Sequence, residues 1–153
     1  MLDLIIKNGS CYIDKDLKDQ DIAIKDGKII KIGKIDSEAK ETFDAEGLTV
    51  LPGCIDTQTH FREPGSTDTE DLHSGSRAAI VGGITSVFEM PNTNPPTSTK
   101  IEFQKKLDLA KNRMYCNYAF YFGATADNAN ELADLVNLEG CCGIKLFAGS
   151  STG

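Results

Sequence analysis

Pro52-Gly53-Cys54-Ile55-Asp56-Thr57-Gln58-Thr59-His60-Phe61-Arg62-Glu63-Pro64-Gly65 is where the grammar of the chain changes. Pro52-Gly53 punctuates structure, and the short apolar run 53–57 behind it reads as a strand. From there on, segments of helix length alternate with strands, which is the signature of βαβ units and a parallel sheet. A predicted helix over 68–81 stops at Gly82-Gly83, and residues 84–90 give the second strand. Pro91 and Pro95-Pro96 force a loop, after which Ser98 or Thr99 caps a helix with Ile101, Phe103, Leu107 and Ala110 on its inner side. Residues 114–122 read as the third strand and 128–138 as the third helix, with Leu132, Leu135 and Val136 apolar. A fourth strand is expected over 141–148.

Ahead of Pro52 the pattern is β-rich. Leu4-Ile5-Ile6 opens one run, and Ile22-Ala23-Ile24-Lys25 turns at Asp26-Gly27 into Lys28-Ile29-Ile30-Lys31-Ile32. Shorter runs follow at Thr42-Phe43 and Leu48-Thr49-Val50-Leu51. The expected organisation is therefore a β-rich portion over 1–51 and, over 52–153, a partial TIM-type barrel holding strands 1–4. A closed (β/α)8 barrel takes ~250 residues, and four units leave two open sheet edges. The 153-residue chain is accordingly expected to be incomplete, with 148–153 as a connecting loop.

Composition narrows the classes. At 40% hydrophobic and 25% charged, the sequence has enough apolar material for a core, and no run approaches the ~18 apolar residues of a membrane span. A net charge of -7 with scattered Lys and Arg argues against a nucleic-acid surface. The five cysteines, at 11, 54, 116, 141 and 142, form no CxxC pair. They read as reduced thiols of a cytoplasmic protein, and as small interior hydrophobes. Adjacent Cys141 and Cys142 in a strand point to opposite faces and cannot jointly grip one metal.

Chemistry in such barrels sits at the carboxyl ends of the strands. At the first, Gln58, His60 and Arg62 alternate and would share one side of an extended segment. An imidazole there is a natural ligand for a divalent metal, and an Arg two residues on can clamp a carboxylate; a structural histidine is the plainer alternative. At the second, Asn92 and Asn94 in a proline-stiffened loop can offer amides to a ligand or satisfy their own backbone. At the fourth, Lys145 lies inside an apolar strand. There it either faces inward, where an ammonium needs pairing or chemical change, or turns out and snorkels to solvent. His73, on the first barrel helix, reads as a surface or helix-packing residue.

Together the segments 44–47 and 52–56, His60-Phe61-Arg62-Glu63-Pro64-Gly65, Gly82-Gly83-Ile84-Thr85, Met90-Pro91-Asn92-Thr93-Asn94-Pro95-Pro96 and Gly143-Ile144-Lys145-Leu146-Phe147 resemble dihydroorotase of the amidohydrolase superfamily. The resemblance covers nearly the whole chain and implies a β-sandwich beside the barrel. It implies that His60 and Lys145 are metal ligands, the cofactor being one or two zinc ions, two of them bridged by a carbamylated Lys145. It implies that Arg62 and Asn92 bind the substrate carboxylate, and that the general acid–base Asp and further His ligands lie beyond Gly153. No catalytic acid or base is expected within the chain, which alone should be inactive. The implied reaction is the reversible cyclisation of N-carbamoyl-L-aspartate to dihydroorotate, in a homo-oligomer or in association with another pyrimidine-pathway enzyme. Gln58 departs from the family pattern of two histidines one residue apart, and its amide oxygen is a weaker zinc ligand than imidazole. An allantoinase or dihydropyrimidinase-like hydrolase, or a non-catalytic assembly partner that has lost metal ligands, are the alternatives.

Overall fold

Alternating apolar and polar residues in the first fifty positions build one five-stranded sheet. The computed structural model describes residues 1–149; the end of the expected terminal loop, from 150 on, lies outside the described residues. Strands β1 (Leu2–Ile13), β2 (Asp16–Lys25), β3 (Lys28–Gly33) and β4 (Ala39–Asp44) are ordered β3-β2-β1-β4, and β5 (Thr49–Val50) also pairs with β1. The tight turns at Asp14-Lys15 and Asp26-Gly27 have positive φ at both residues, which matches the right-handed twist of hairpins. Buried Ile5, Ala23 and Ile35 form the core of this unit with Leu2 and Ala39 against it. The chain divides at Pro52 into two compact units.

The second unit is the α/β part. Its strands β6 (Cys54–Thr59), β7 (Ile84–Glu89), β8 (Asn117–Gly123) and β9 (Cys141–Lys145) form a parallel sheet in the order β6-β7-β8-β9. Helices α1 (Leu72–Val81) and α2 (Lys100–Ala110) make the first two crossovers, and a 3-10 turn (Ala129–Glu131) running into α3 (Leu132–Leu135) makes the third. The fold is thus a β-rich amino-terminal portion followed by the first four strands of a TIM-type barrel. Leu72, Val87, Phe103, Phe120, Phe122 and Leu135 fill the layer between this sheet and its helices. Among the described residues no helix is long and apolar enough to cross a membrane.

Several boundaries differ from the sequence expectations for local reasons. Helix α1 begins at Leu72 because Asp71 caps it in a reciprocal box with Ser74, whose backbone N donates to Asp71 Oδ1 at 2.6 Å. Thr99, rather than Ser98, caps α2. Ile101 is 67% exposed, and the inner stripe runs instead through Phe103, Lys106 and Ala110. The third helix is reduced to one irregular turn, and Val136 is exposed. The fourth strand ends at Lys145, three residues early, and the first persists to Thr59. All five cysteines are free; Cys11 and Cys116 are buried, but Cys54 is exposed and not the interior hydrophobe expected.

The largest fully buried side chain is not apolar. Lys106 reaches from α2 to donate to the Met90 carbonyl at 2.9 Å, with Nζ 3.7 Å from Glu89 Oε1 and 5.1 Å from the Phe120 ring centroid. Burial pulls its ammonium down to about 8 against the opposing pull of Glu89. Phe120→Ala removes the centre of the surrounding core and should cost about 3–5 kcal/mol in denaturant unfolding; a loss below ~1 kcal/mol contradicts this packing. Since folded Lys106 releases its proton near 8 while the unfolded chain keeps it to 10.5, the unfolded chain binds more protons between those values. Stability should therefore rise with pH across that window in the native chain relative to Lys106→Met, and parallel unfolding midpoints for the two would refute it.

Candidate active site

The carboxyl ends of the four strands are joined by backbone hydrogen bonds. Met90 N donates to the Thr59 carbonyl at 3.0 Å, Gly123 N to Thr97 O at 2.8 Å, and Ala124 N to Lys145 O at 2.8 Å. The loops that leave these ends are thereby held in sequence along one rim, where the barrel rule places chemistry.

His60 lies just past β6. Its neighbours face the helices: Phe61 belongs to the apolar core, and the Thr59 hydroxyl bonds Glu89, which itself meets Lys106 of α2. The imidazole is half-buried and hydrogen-bonded to the Asn92 side chain. Burial lowers its pKa, Arg62 lowers it further, the bond to Asn92 opposes, and Lys106 and Lys145 add to the lowering. The structure therefore brings His60, Arg62, Asn92 and Lys145 within electrostatic reach of one another. Deprotonated imidazole, the form that binds a metal, is favoured.

Arg62 arrives there by a route the sequence does not show. Residues 60–65 are not a strand, and Arg62 sits at φ 64, so a left-handed kink rather than alternation brings it near His60. Gln58 remains in the strand, exposed, with its backbone N bonded to Asp56 Oδ1 at 2.9 Å. Behind Arg62, Gly65 has φ 118, and a Cβ there would come within 2.8 Å of Asn94 Cβ. Asn94 N also donates to Pro64 O at 3.0 Å, so the first loop packs directly on the second.

Lys145 follows Ile144, which packs against the helix-side core, and strand alternation puts Lys145 on the opposite face. Its Nζ lies 5.1 Å from the centroid of the Phe147 ring. The lysine amine thus turns away from the outer helices.

Sequence reasoning missed the residues that hold these groups in place. Both Glu89 oxygens accept from Phe61 N, at 2.9 and 3.1 Å, and Thr59 Oγ1 donates to Oε2 at 2.8 Å. Glu63, also buried, takes the Leu72 N–H at the start of α1 and a bidentate grip from Arg113 at 2.8 and 3.2 Å. In the proline loop Thr93 satisfies backbone: its Oγ1 donates to Pro95 O at 2.9 Å and lies 3.3 Å from the Thr97 hydroxyl. The signals were a lone Glu within the apolar run Val87-Phe88-Glu89-Met90 and a Lys three residues after Phe103. His73 is exposed on α1, its ring 5.1 Å from that of Tyr115.

Among the described residues no group of three or more His, Cys, Asp or Glu is gathered to hold a metal ion. One imidazole and one lysine are the candidate ligands present. With Arg62, Lys106 and Lys145 all acting on His60, a divalent cation fits only if Lys145 carries a negative charge, as a carbamate would give it.

Allantoinases of several Escherichia coli strains are 41% identical over 146 residues, which is 95% of this chain and 32% of theirs. Among solved structures, the L-hydantoinase (dihydropyrimidinase) of Arthrobacter aurescens superposes with TM-score 0.89 at 34% identity, over 100% of this chain and 35% of that one. The D-hydantoinase of a Bacillus sp. AR9 gives TM-score 0.81 at 27% identity, over 96% of this chain and 33% of that one. The chain thus spans about a third of the length of these relatives. The profile of the Amidohydrolase family matches residues 49–141, more than half of the sequence, and the chain belongs to that family.

Proposed function

We propose that this chain contributes the substrate-facing rim of a metal-dependent hydrolase that opens a cyclic amide or ureide, with rings of the allantoin and hydantoin kind as its substrates. The observation that carries the proposal is that a half-buried His60, hydrogen-bonded to Asn92, stands within electrostatic reach of Arg62 and Lys145 at one set of strand ends. The similarity to allantoinases and hydantoinases supports this choice of ring.

In this reading His60 and a carbamylated Lys145 hold zinc, one ion or two, with the remaining ligands and the general acid–base drawn from outside the described residues. When bound, zinc lowers the pKa of water towards neutrality and polarises the ring carbonyl. The chain's own residues do the rest. Asn92 keeps the imidazole oriented through its hydrogen bond, and the kink holds Arg62 beside it at the rim. Homo-oligomerisation, or association with another enzyme of the same pathway, belongs to the proposal as well.

A second reading, dihydroorotase, is favoured by Arg62 itself, since a guanidinium beside an Asn amide is suited to a ring carboxylate. Assays of the protein carrying this segment, supplied with zinc and bicarbonate, separate the two. Allantoin or hydantoin should be opened with higher kcat/KM than dihydroorotate, and Arg62→Met should change those rates only a few-fold. The reverse preference, with Arg62→Met costing roughly 10- to 100-fold on dihydroorotate, the size of a lost hydrogen bond to a charged group, would establish the second reading. No ring opening of any of the three and no bound zinc would sink both and leave a non-catalytic assembly partner.

A further inference from the structure

Glu89 bonds the chain on both sides of His60. Its Oε2 accepts from the Thr59 hydroxyl at 2.8 Å, and its Oε1 accepts from Phe61 N at 2.9 Å. The Phe61 ring is in turn packed so close to α1 that Gly75 leaves no room there for a Cβ. With Met90 N donating to Thr59 O at 3.0 Å, the peptide groups before and after His60 are both held, and with them the direction in which its side chain leaves the backbone.

The same network reaches the other end of the His60–Asn92 hydrogen bond. Lys106, facing Glu89 at 3.7 Å, donates at 2.9 Å to the carbonyl of Met90, two residues before Asn92. Met90 N meanwhile donates to Thr59 O at 3.0 Å. One buried pair therefore ties down the segment that carries the imidazole and the segment that carries its amide partner. An ion pair is a poor way to fill a core of Val87, Phe103 and Phe120, because well-packed apolar residues of the same volume are commonly as stable or more so. A carboxylate does offer what no apolar residue can, two acceptors aimed at a backbone N–H and a hydroxyl at once.

We propose that Glu89, with Lys106 as its counter-ion, is a positioning residue that sets the orientation of the His60 imidazole against Asn92. The proposal deepens the functional reading above, since it matters for activity only if His60 is a ligand, but it is tested without metal or substrate. His73→Gln removes the other histidine of this segment, and in 15N-edited NMR at fixed pH of the protein carrying the segment His60 is identified by the ring resonances that a further His60→Gln deletes. In the His73→Gln background Thr59→Val removes one bond to Glu89 at matched shape, and Glu89→Gln combined with Lys106→Met removes both charges together. Each should move the His60 ring nitrogens towards a tautomer mixture, changing the tautomer ratio about five-fold, as loss of one ordinary hydrogen bond would. Phe103→Leu, which loosens the same core without touching the clamp, should lower the unfolding midpoint and leave the His60 resonances in place. Unmoved resonances in Thr59→Val, or an equal shift in Phe103→Leu, overturn the proposal; if the double variant fails to fold, Thr59→Val decides alone. Absent zinc binding or ring opening would count against the functional reading and leave this result standing.

Discussion

A carboxylate and an ammonium, both essentially without solvent, lie beneath the strand ends of the barrel portion, and the arrangement above them depends on that pair. Glu89 and Lys106 are each almost fully buried, and each is more fully bonded to backbone and hydroxyl groups than to the other. Burial raises the Glu89 carboxyl and lowers the Lys106 ammonium, so desolvation works against both charges. What offsets that cost is the set of hydrogen bonds to Phe61, Thr59 and Met90, because an unmatched N–H or carbonyl at those points would be buried as well. The pair is therefore a fastening between β6, β7 and α2, and only secondarily an attraction between opposite charges.

A second fastening repeats the design one loop further out. Glu63 belongs to the same short segment as His60 and Arg62, and Arg113, three residues past α2, holds it with both terminal guanidinium nitrogens. Arg113 is partly exposed, so this pair is screened in a way that Glu89 and Lys106 are not. Both cations come from α2 or its end, although α2 follows β7 in the chain. The loop after the first barrel strand is thus held by the helix after the second. This links neighbouring βα units through side chains where the sheet has already linked them through backbone, and it explains how residues 60–65 keep a defined course without being a strand.

The order of strands and helices was legible because it is written in short-range terms: apolar runs of strand length, Gly82-Gly83, the prolines of 91–96. Candidate residues were legible where chemistry is concentrated, so His60, Arg62, Asn92 and Lys145 could be named from the strand ends. The route by which they meet was not. The left-handed residue at Arg62 has no glycine or asparagine to announce it, and the packing of Gly65 on Asn94 beside it joins residues far apart in sequence. Ile101 looked apolar enough for the core, yet Lys106 took the inner stripe because its partner Glu89 was already there. Pairwise compensation of this kind is invisible one residue at a time. The third helix failed for a local reason: a run of Asn, Glu and Asp residues over 127–134 offers side-chain competitors for the backbone, and Asn128 bonds Thr125 N, Ser98 O and Gly123 O instead.

The charge around His60 ties the chemical readings to the state of one amine. With Lys145 as an ammonium, the imidazole is acted on by three cations, and such a rim attracts carboxylates and repels metal ions. Carbamylation exchanges one positive charge for one negative, and the balance passes to a site that can take a divalent cation while Arg62 still attracts anionic or carbonyl oxygen. Gln58 adds neither charge nor a strong ligand where an imidazole would have supplied one, so in the proposed metal site more of the binding would fall on Lys145 than where two histidines stand there. In the proposed function, metal affinity would depend on carbon dioxide as well as on zinc, and a fixed orientation of His60 would let a single imidazole serve in place of a pair.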